Sequence, residues 1–142
     1  MKVKIKKLDL AAIMPKYSSS GAAGADLYNY KEDVLIAPGK TVAIRTGLSI
    51  EIPEGYVGLI FARSGLATKN GVAPANKVGV IDCDYRGELV VMLYNHSDSD
   101  YTVKTGERVA QLVVVPYLQC EFEEGDISST ERGINGFGST GK

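Results

Sequence analysis

The sequence predicts an all-β sandwich or barrel. No long segment places apolar residues at helical spacing. Short β-rich runs recur instead, separated by Gly, Pro, Asn or Asp, and turn signals at such regular spacing mark a sandwich or barrel. The length, 142 residues, suits one domain that buries roughly 68–70 % of its unfolded surface.

The elements follow in order. Val3 to Lys6 alternates like an edge or half-buried strand. Lys16 to Ala25 is small and flexible, a loop leading into Asp26-Leu27-Tyr28. Val34 to Ala37 is a short strand stopped by Pro38-Gly39. Thr41 to Ile52 alternates, with a glycine irregularity at Gly47, and Pro53-Glu54-Gly55 turns the chain into a strand over Tyr56 to Ala62. Arg63 to Lys69 is the one credible helix, closed by Asn70-Gly71. Two runs, Val78 to Ile81 and Leu89 to Leu93, flank a short polar connection and predict a hairpin. Tyr101 to Val103, Arg108 to Val115 and a last run, Leu118 to Phe122, are further strands. From Gly125 the tail has no apolar periodicity, which divides the chain into a body (1–124) and an arm (125–142).

Composition excludes several function classes. With 44 % hydrophobic and 23 % charged residues the chain reads as soluble and globular. A formal net charge of −1 does not suit wrapping a long polyanion, although a small nucleotide needs only a few local cations. Cys83 and Cys120 lie in no metal spacing and suit a reducing cytosol. The basic MKVKIKK start lacks an export-length apolar core and no run reaches transmembrane length, so the expected location is cytoplasmic. His96 is the only histidine and sits in a polar turn, leaving carboxylates, arginines, hydroxyls and glycines. That set suits phosphates and Mg²⁺.

The stretch Gly79 to Glu88, GVIDCDYRGE, concentrates these groups. Asp82 stands where an apolar strand ends, a place where a rigid strand can fix a general base near solvent. Asp82 and Asp84 read equally as turn formers; Asp84 is the more structural of the two, Arg86 and Glu88 are solvated or inter-strand charges, and Cys83 is a bystander. The tail, RGINGFGSTGK from Arg132 to Lys142, carries glycines whose N–H groups can converge on an anion. Arg132, Ser139 and Thr140 can donate to phosphate oxygens. A Gly/Ser terminus without structure is the alternative, but Phe137 among such glycines suggests an arm that closes over a nucleotide and stacks on its base. Gly136 to Lys142 matches the start of a P-loop, yet no Ser/Thr and helix follow.

Five segments, in order, resemble the trimeric deoxyuridine triphosphate nucleotidohydrolase (dUTPase) family: AGADL at Ala23–Leu27, RSGLA at Arg63–Ala67, GVIDCDYRGE, GERVAQL at Gly106–Leu112, and RGINGFGSTG at Arg132–Gly141. The resemblance implies a jelly-roll-like subunit, a homotrimer with shared active sites, and Mg²⁺-assisted conversion of dUTP to dUMP and pyrophosphate. That activity keeps uracil out of DNA and supplies dUMP for thymidylate synthesis. It implies that Asp82 deprotonates the water that attacks the α-phosphorus, and that Asp26 holds the metal through coordinated water. Asn76 and the main chain of Gly79, Val80 and Ile81 would read the uracil edge, while Tyr85 would leave no room for a 2′-hydroxyl. Arg63, Ser64, Gly65 and Gln111 would hold phosphates. Arg132 would reach the γ-phosphate, Phe137 would cap the uracil, and Gly138, Ser139 and Thr140 would bind the end of the triphosphate. Two rivals remain: a dCTP deaminase-like enzyme of the same general fold, and a non-catalytic trimer that binds nucleotide and signals through a partner.

Overall fold

A computed structural model of the chain describes residues 1–136. Alternation along the strands sets two layers. In β9 (Glu88–Asn95), Leu89, Val91 and Leu93 are buried while Val90 and Met92 face outward. A four-stranded sheet orders β1 (Lys4–Lys7), β5 (Thr41–Glu51), β9 and β7 (Val72–Pro74). A five-stranded sheet orders β2 (Lys16–Tyr17), β3 (Ala25–Tyr28), β11 (Arg108–Pro116), β6 (Tyr56–Phe61) and β8 (Gly79–Ile81). A small pair joins β10 (Tyr101–Val103) to β4 (Val34–Ile36). Leu27, Ile60, Val109 and Leu112 from one sheet meet Ile44, Leu48, Ile50, Leu89, Val91 and Leu93 from the other. Each such side chain contributes about 1.5–3 kcal/mol by leaving water. The fold is the expected all-β, jelly-roll-like sandwich, with open sheets.

The helix α1 spans Ser64–Asn70 and stops at Gly71, whose φ of 66° allows the left-handed C-cap. Among the described residues no helix is long and apolar enough to cross a membrane.

Three expectations are corrected, the smallest being that Lys16 and Tyr17, expected in a loop, form β2 against Asp26 and Ala25 of β3. The runs flanking Asp82 do not form a hairpin: β8 pairs with β6, whereas β9 lies between β5 and β7. The apolar face of β9 must lie on the inter-sheet core, and with both its edges taken β8 cannot zip onto it. β8 therefore stays at a sheet edge. The Leu118–Phe122 run is not a strand either. Leu118 and Phe122 are 91 % and 96 % exposed, so the run finds no partner on its own body.

Candidate active site

One group of candidate residues gathers around Asp26. In register, Asp26 of β3 faces Gln111 of β11, which faces Phe61 at the end of β6. Asp26 is only 4 % exposed, and a buried carboxylate needs partners. Its Oδ2 accepts from Ser18 Oγ at 2.7 Å and Arg108 at 3.3 Å, and its Oδ1 accepts from Arg63 Nε at 2.9 Å. Burial alone would raise the pKa of Asp26, but the Ser18 hydrogen bond, the charge and hydrogen bond of Arg63 and the hydrogen bond of Arg108 outweigh it and hold it below the ordinary value. Gln111 donates to the Ala62 carbonyl at 3.0 Å. Gly24 makes this approach feasible, since a Cβ there would stand 2.6 Å from Gln111 Oε1. Ser64 and Gly65 are exposed beside Arg63, in the first turn of α1.

The depressed pKa gives a stability prediction. A carboxyl held below its ordinary 3.8 contributes stability that is complete above that value and is lost as pH falls through the folded value. Asp26→Ala should cost about 1–3 kcal/mol at neutral pH, because two guanidiniums lose their shared acceptor while still reaching solvent. The deficit, read by thermal melting, should shrink as pH drops below 3.8. A deficit unchanged down to acid pH would show that the ion pairs carry none of it.

A second group surrounds Asp82. This residue is exposed just beyond the end of β8, and no cation pairs with it among the described residues. Asn76, Gly79, Val80 and Ile81 border a cleft of about 90 Å³ whose other walls include Ile60, Pro74 and Val91. A neighbouring hollow of about 170 Å³ joins Asp82 and Tyr85 to Val80, Ile81, Glu88 and Val90. Tyr85 donates from its hydroxyl to the Glu88 carbonyl at 2.9 Å. Asp84 is exposed and makes no ion pair among the described residues.

These two groups do not meet within one chain. Ile81 is registered against Gly58 and Gln111 against Phe61, so Asp82 and Asp26 sit toward opposite ends of β6. They are roughly 13 Å apart along the strands and roughly 14 Å apart across the three strand spacings from β8 to β3.

The dUTPase family model matches residues 11–141. The chain belongs to the dUTPase family. It is 51 % identical to the deoxyuridine 5'-triphosphate nucleotidohydrolase of Nautilia profundicola, with 100 % of both chains covered. Among solved structures it is similar to the Staphylococcus bacteriophage 80alpha dUTPase determined with dUPNHPP, at 30 % identity, TM-score 0.91 and 99 % coverage of each chain. It is also similar to a mutant dUTPase of S. aureus phage phi11 described for its structural Mg(II) ion, at 27 % identity and TM-score 0.81, covering 89 % of this chain and 98 % of that one.

The dUTPase residues expected from sequence thus fall into two sets, with Asp26, Arg63, Ser64, Gly65 and Gln111 in one and Asn76, Gly79, Val80, Ile81, Asp82 and Tyr85 in the other. Arg132 is exposed, and among the described residues its side chain donates to the Asn135 carbonyl at 2.9 Å. Phe137, Gly138, Ser139 and Thr140 lie outside the described residues. Sequence reasoning missed Ser18 and Arg108. Arg108 stands in the same GERVAQL segment as Gln111, which was its only signal; Ser18 was hidden in a loop of three serines.

Magnesium, which the family implies, meets a restrictive donor set here. No group of three His, Cys, Asp or Glu is arranged to hold a metal among the described residues. Oδ2 of Asp26 already accepts two hydrogen bonds and Oδ1 one, which leaves a single lone-pair site on Oδ1. That suits one contact to a metal-bound water, and Mg²⁺ commonly keeps its waters and takes its remaining ligands from substrate phosphates. The residues fit a metal carried in this way.

Proposed function

We propose that this chain hydrolyses dUTP to dUMP and pyrophosphate, with Asp82 as the general base. Its carboxylate takes a proton from water, the water oxygen bonds to the α-phosphorus, and the bond from that phosphorus to the bridging oxygen breaks to release pyrophosphate. Arg63, Ser64, Gly65 and Gln111 hold the phosphates, so charge developing on the leaving group meets fixed donors. Magnesium, when bound through the triphosphate and its waters, neutralises phosphate charge.

The observation that carries this reading is the unzipped edge of β8. A strand bonded on one side only leaves N–H and C=O groups without strand partners along its other edge. Here that edge borders a narrow cleft walled by apolar side chains and Asn76, and the hollow beside it reaches Asp82. Such a cleft suits a planar base whose edge pairs with main-chain groups. Uracil and cytosine exchange donor and acceptor at that edge, so the wrong base leaves buried groups unpaired, a discrimination of up to ~10⁴. Thymine, which differs by a methyl, must be rejected by shape.

The separation of the two half-sites supports a homotrimer in which each active site takes Asp82 from one subunit and the Asp26–Arg63 group from a neighbour. Val90 and Met92, exposed on β9 opposite Arg45 and Ala43 of β5, border the base cleft itself, so a neighbouring subunit that completes the site would pack beside them. Beyond the body (1–124) the arm (125–142) supplies Arg132 and Phe137 across a subunit boundary. Ile127 and Ile134, 94 % and 103 % exposed, are apolar residues of the arm unburied on their own body.

Pyrophosphate release from dUTP, dTTP, dCTP and UTP, each with Mg²⁺ and with chelator, tests the reading. Mg²⁺-stimulated release from dUTP alone is expected. Release from all four would retain the phosphate site and refute base reading by β8; release from none would favour a non-catalytic nucleotide-binding trimer.

A further inference from the structure

Gly87 lies directly against the Tyr85 ring. A Cβ at Gly87 would stand 2.3 Å from Tyr85 Oη, 2.6 Å from Cζ and 2.9 Å from Cε2, against about 3.5–4.0 Å for comfortable contact. Either the backbone or the ring would have to move. The backbone is tied on both sides of Gly87. Ser49 Oγ of β5 donates to the Arg86 carbonyl at 2.7 Å, and Arg86 donates to the Cys83 and Tyr85 carbonyls at 2.6 and 3.0 Å. On the other side, the Glu88 carboxylate accepts from Arg45 Nε and from the Gly47 N–H, each at 2.8 Å, and Glu88 starts β9 in register with Ser49. Tyr85, by contrast, is 42 % exposed, and among the described residues its tip is held by one bond, to the Glu88 carbonyl. The ring is what yields.

We propose that Gly87 is a positioning residue for sugar selectivity: without a side chain, it lets the Tyr85 ring lie flat on the turn and so fixes how far the wall facing the nucleotide sugar protrudes. The inference rests on Tyr85 being that wall. Any residue larger than glycine at 87 lifts the ring off the turn, detaches its hydroxyl from Glu88 and leaves the wall without a defined position. Gly87 touches neither the substrate nor the reacting atoms and acts through Tyr85 alone.

Kinetics of Gly87→Ala, Tyr85→Ala and the double variant on dUTP and UTP test the proposal. Gly87→Ala should lower the dUTP-over-UTP ratio of kcat/KM by about tenfold or more, with the dUTP loss in KM rather than kcat. In the Tyr85→Ala background, where no ring remains to displace, Gly87→Ala should change kcat/KM for either nucleotide by less than about twofold, the non-additivity expected of two residues acting as one. An unchanged ratio in the single variant, or an equal loss in both backgrounds, would overturn it. So would a failure of both Gly87→Ala proteins to fold, since the glycine would then serve the backbone and not the ring. A wild-type protein that releases no pyrophosphate from dUTP would instead refute the underlying activity.

Discussion

Asp82→Asn should cut turnover of dUTP by two or more orders of magnitude while leaving dUTP affinity nearly unchanged. The amide keeps the shape of the carboxylate but cannot accept a proton, and loss of a positioned base costs roughly 10²–10⁴-fold. The base, in this reading, is read by main-chain groups of β8, and the phosphates by Arg63 and its neighbours, none of which the substitution alters. Asp82 is exposed and makes no ion pair among the described residues, so stability should be preserved as well. Single-turnover kinetics with separately measured binding distinguish the outcomes. Loss of binding with the rate per bound dUTP intact would make Asp82 a structural residue and exclude it as the base.

Truncation after Gly125 should leave the protein folded and assembled but slow. Residues 126–136 bond only among themselves among the described hydrogen bonds, through Thr130 to Gly133 and Arg132 to Asn135. Their removal takes little from the body. On the proposed reading the loss is the Arg132 contact to phosphate, about 1.5–3 kcal/mol for a charged hydrogen bond, and stacking by Phe137, about 1–3 kcal/mol. Together these correspond to roughly 10²–10⁴-fold in kcat/KM. Melting temperature and oligomeric mass measured beside activity complete the experiment. Dissociation or unfolding on truncation would make the tail an assembly element.

Much of the fold was legible because alternation and turn residues are local signals. Pro38-Gly39 and Pro53-Glu54-Gly55 fall between elements and Asn70-Gly71 ends α1, and the strands between them start and stop within a residue or two of their apolar runs. The turn around Asp82 misled, because a hairpin and a crossing between sheets share the same local sequence. Which one forms depends on whether β5 and β7 have already claimed the edges of β9. The strand expected at Leu118–Phe122 failed for a related reason, since a β-rich run needs an edge to pair with and its own body offers none. Candidate residues were legible as chemical types, while their division between two ends of one sheet was not. That division comes from the register of β6, β8 and β11, which no local pattern reports.

Subunit mixing addresses the central claim, a site shared between chains. Asp82→Asn and Arg63→Ala disable different half-sites, so each variant alone should be nearly inactive. Co-expressed in equal amounts and purified as mixed oligomers through two different tags, they should regain activity. Selection for both tags removes the homotrimers, and every mixed trimer then has one of its three sites with both halves intact, hence about a third of wild-type turnover. Mixed oligomers no more active than the separate variants would place Asp82 and Arg63 in the site of a single chain and contradict the account.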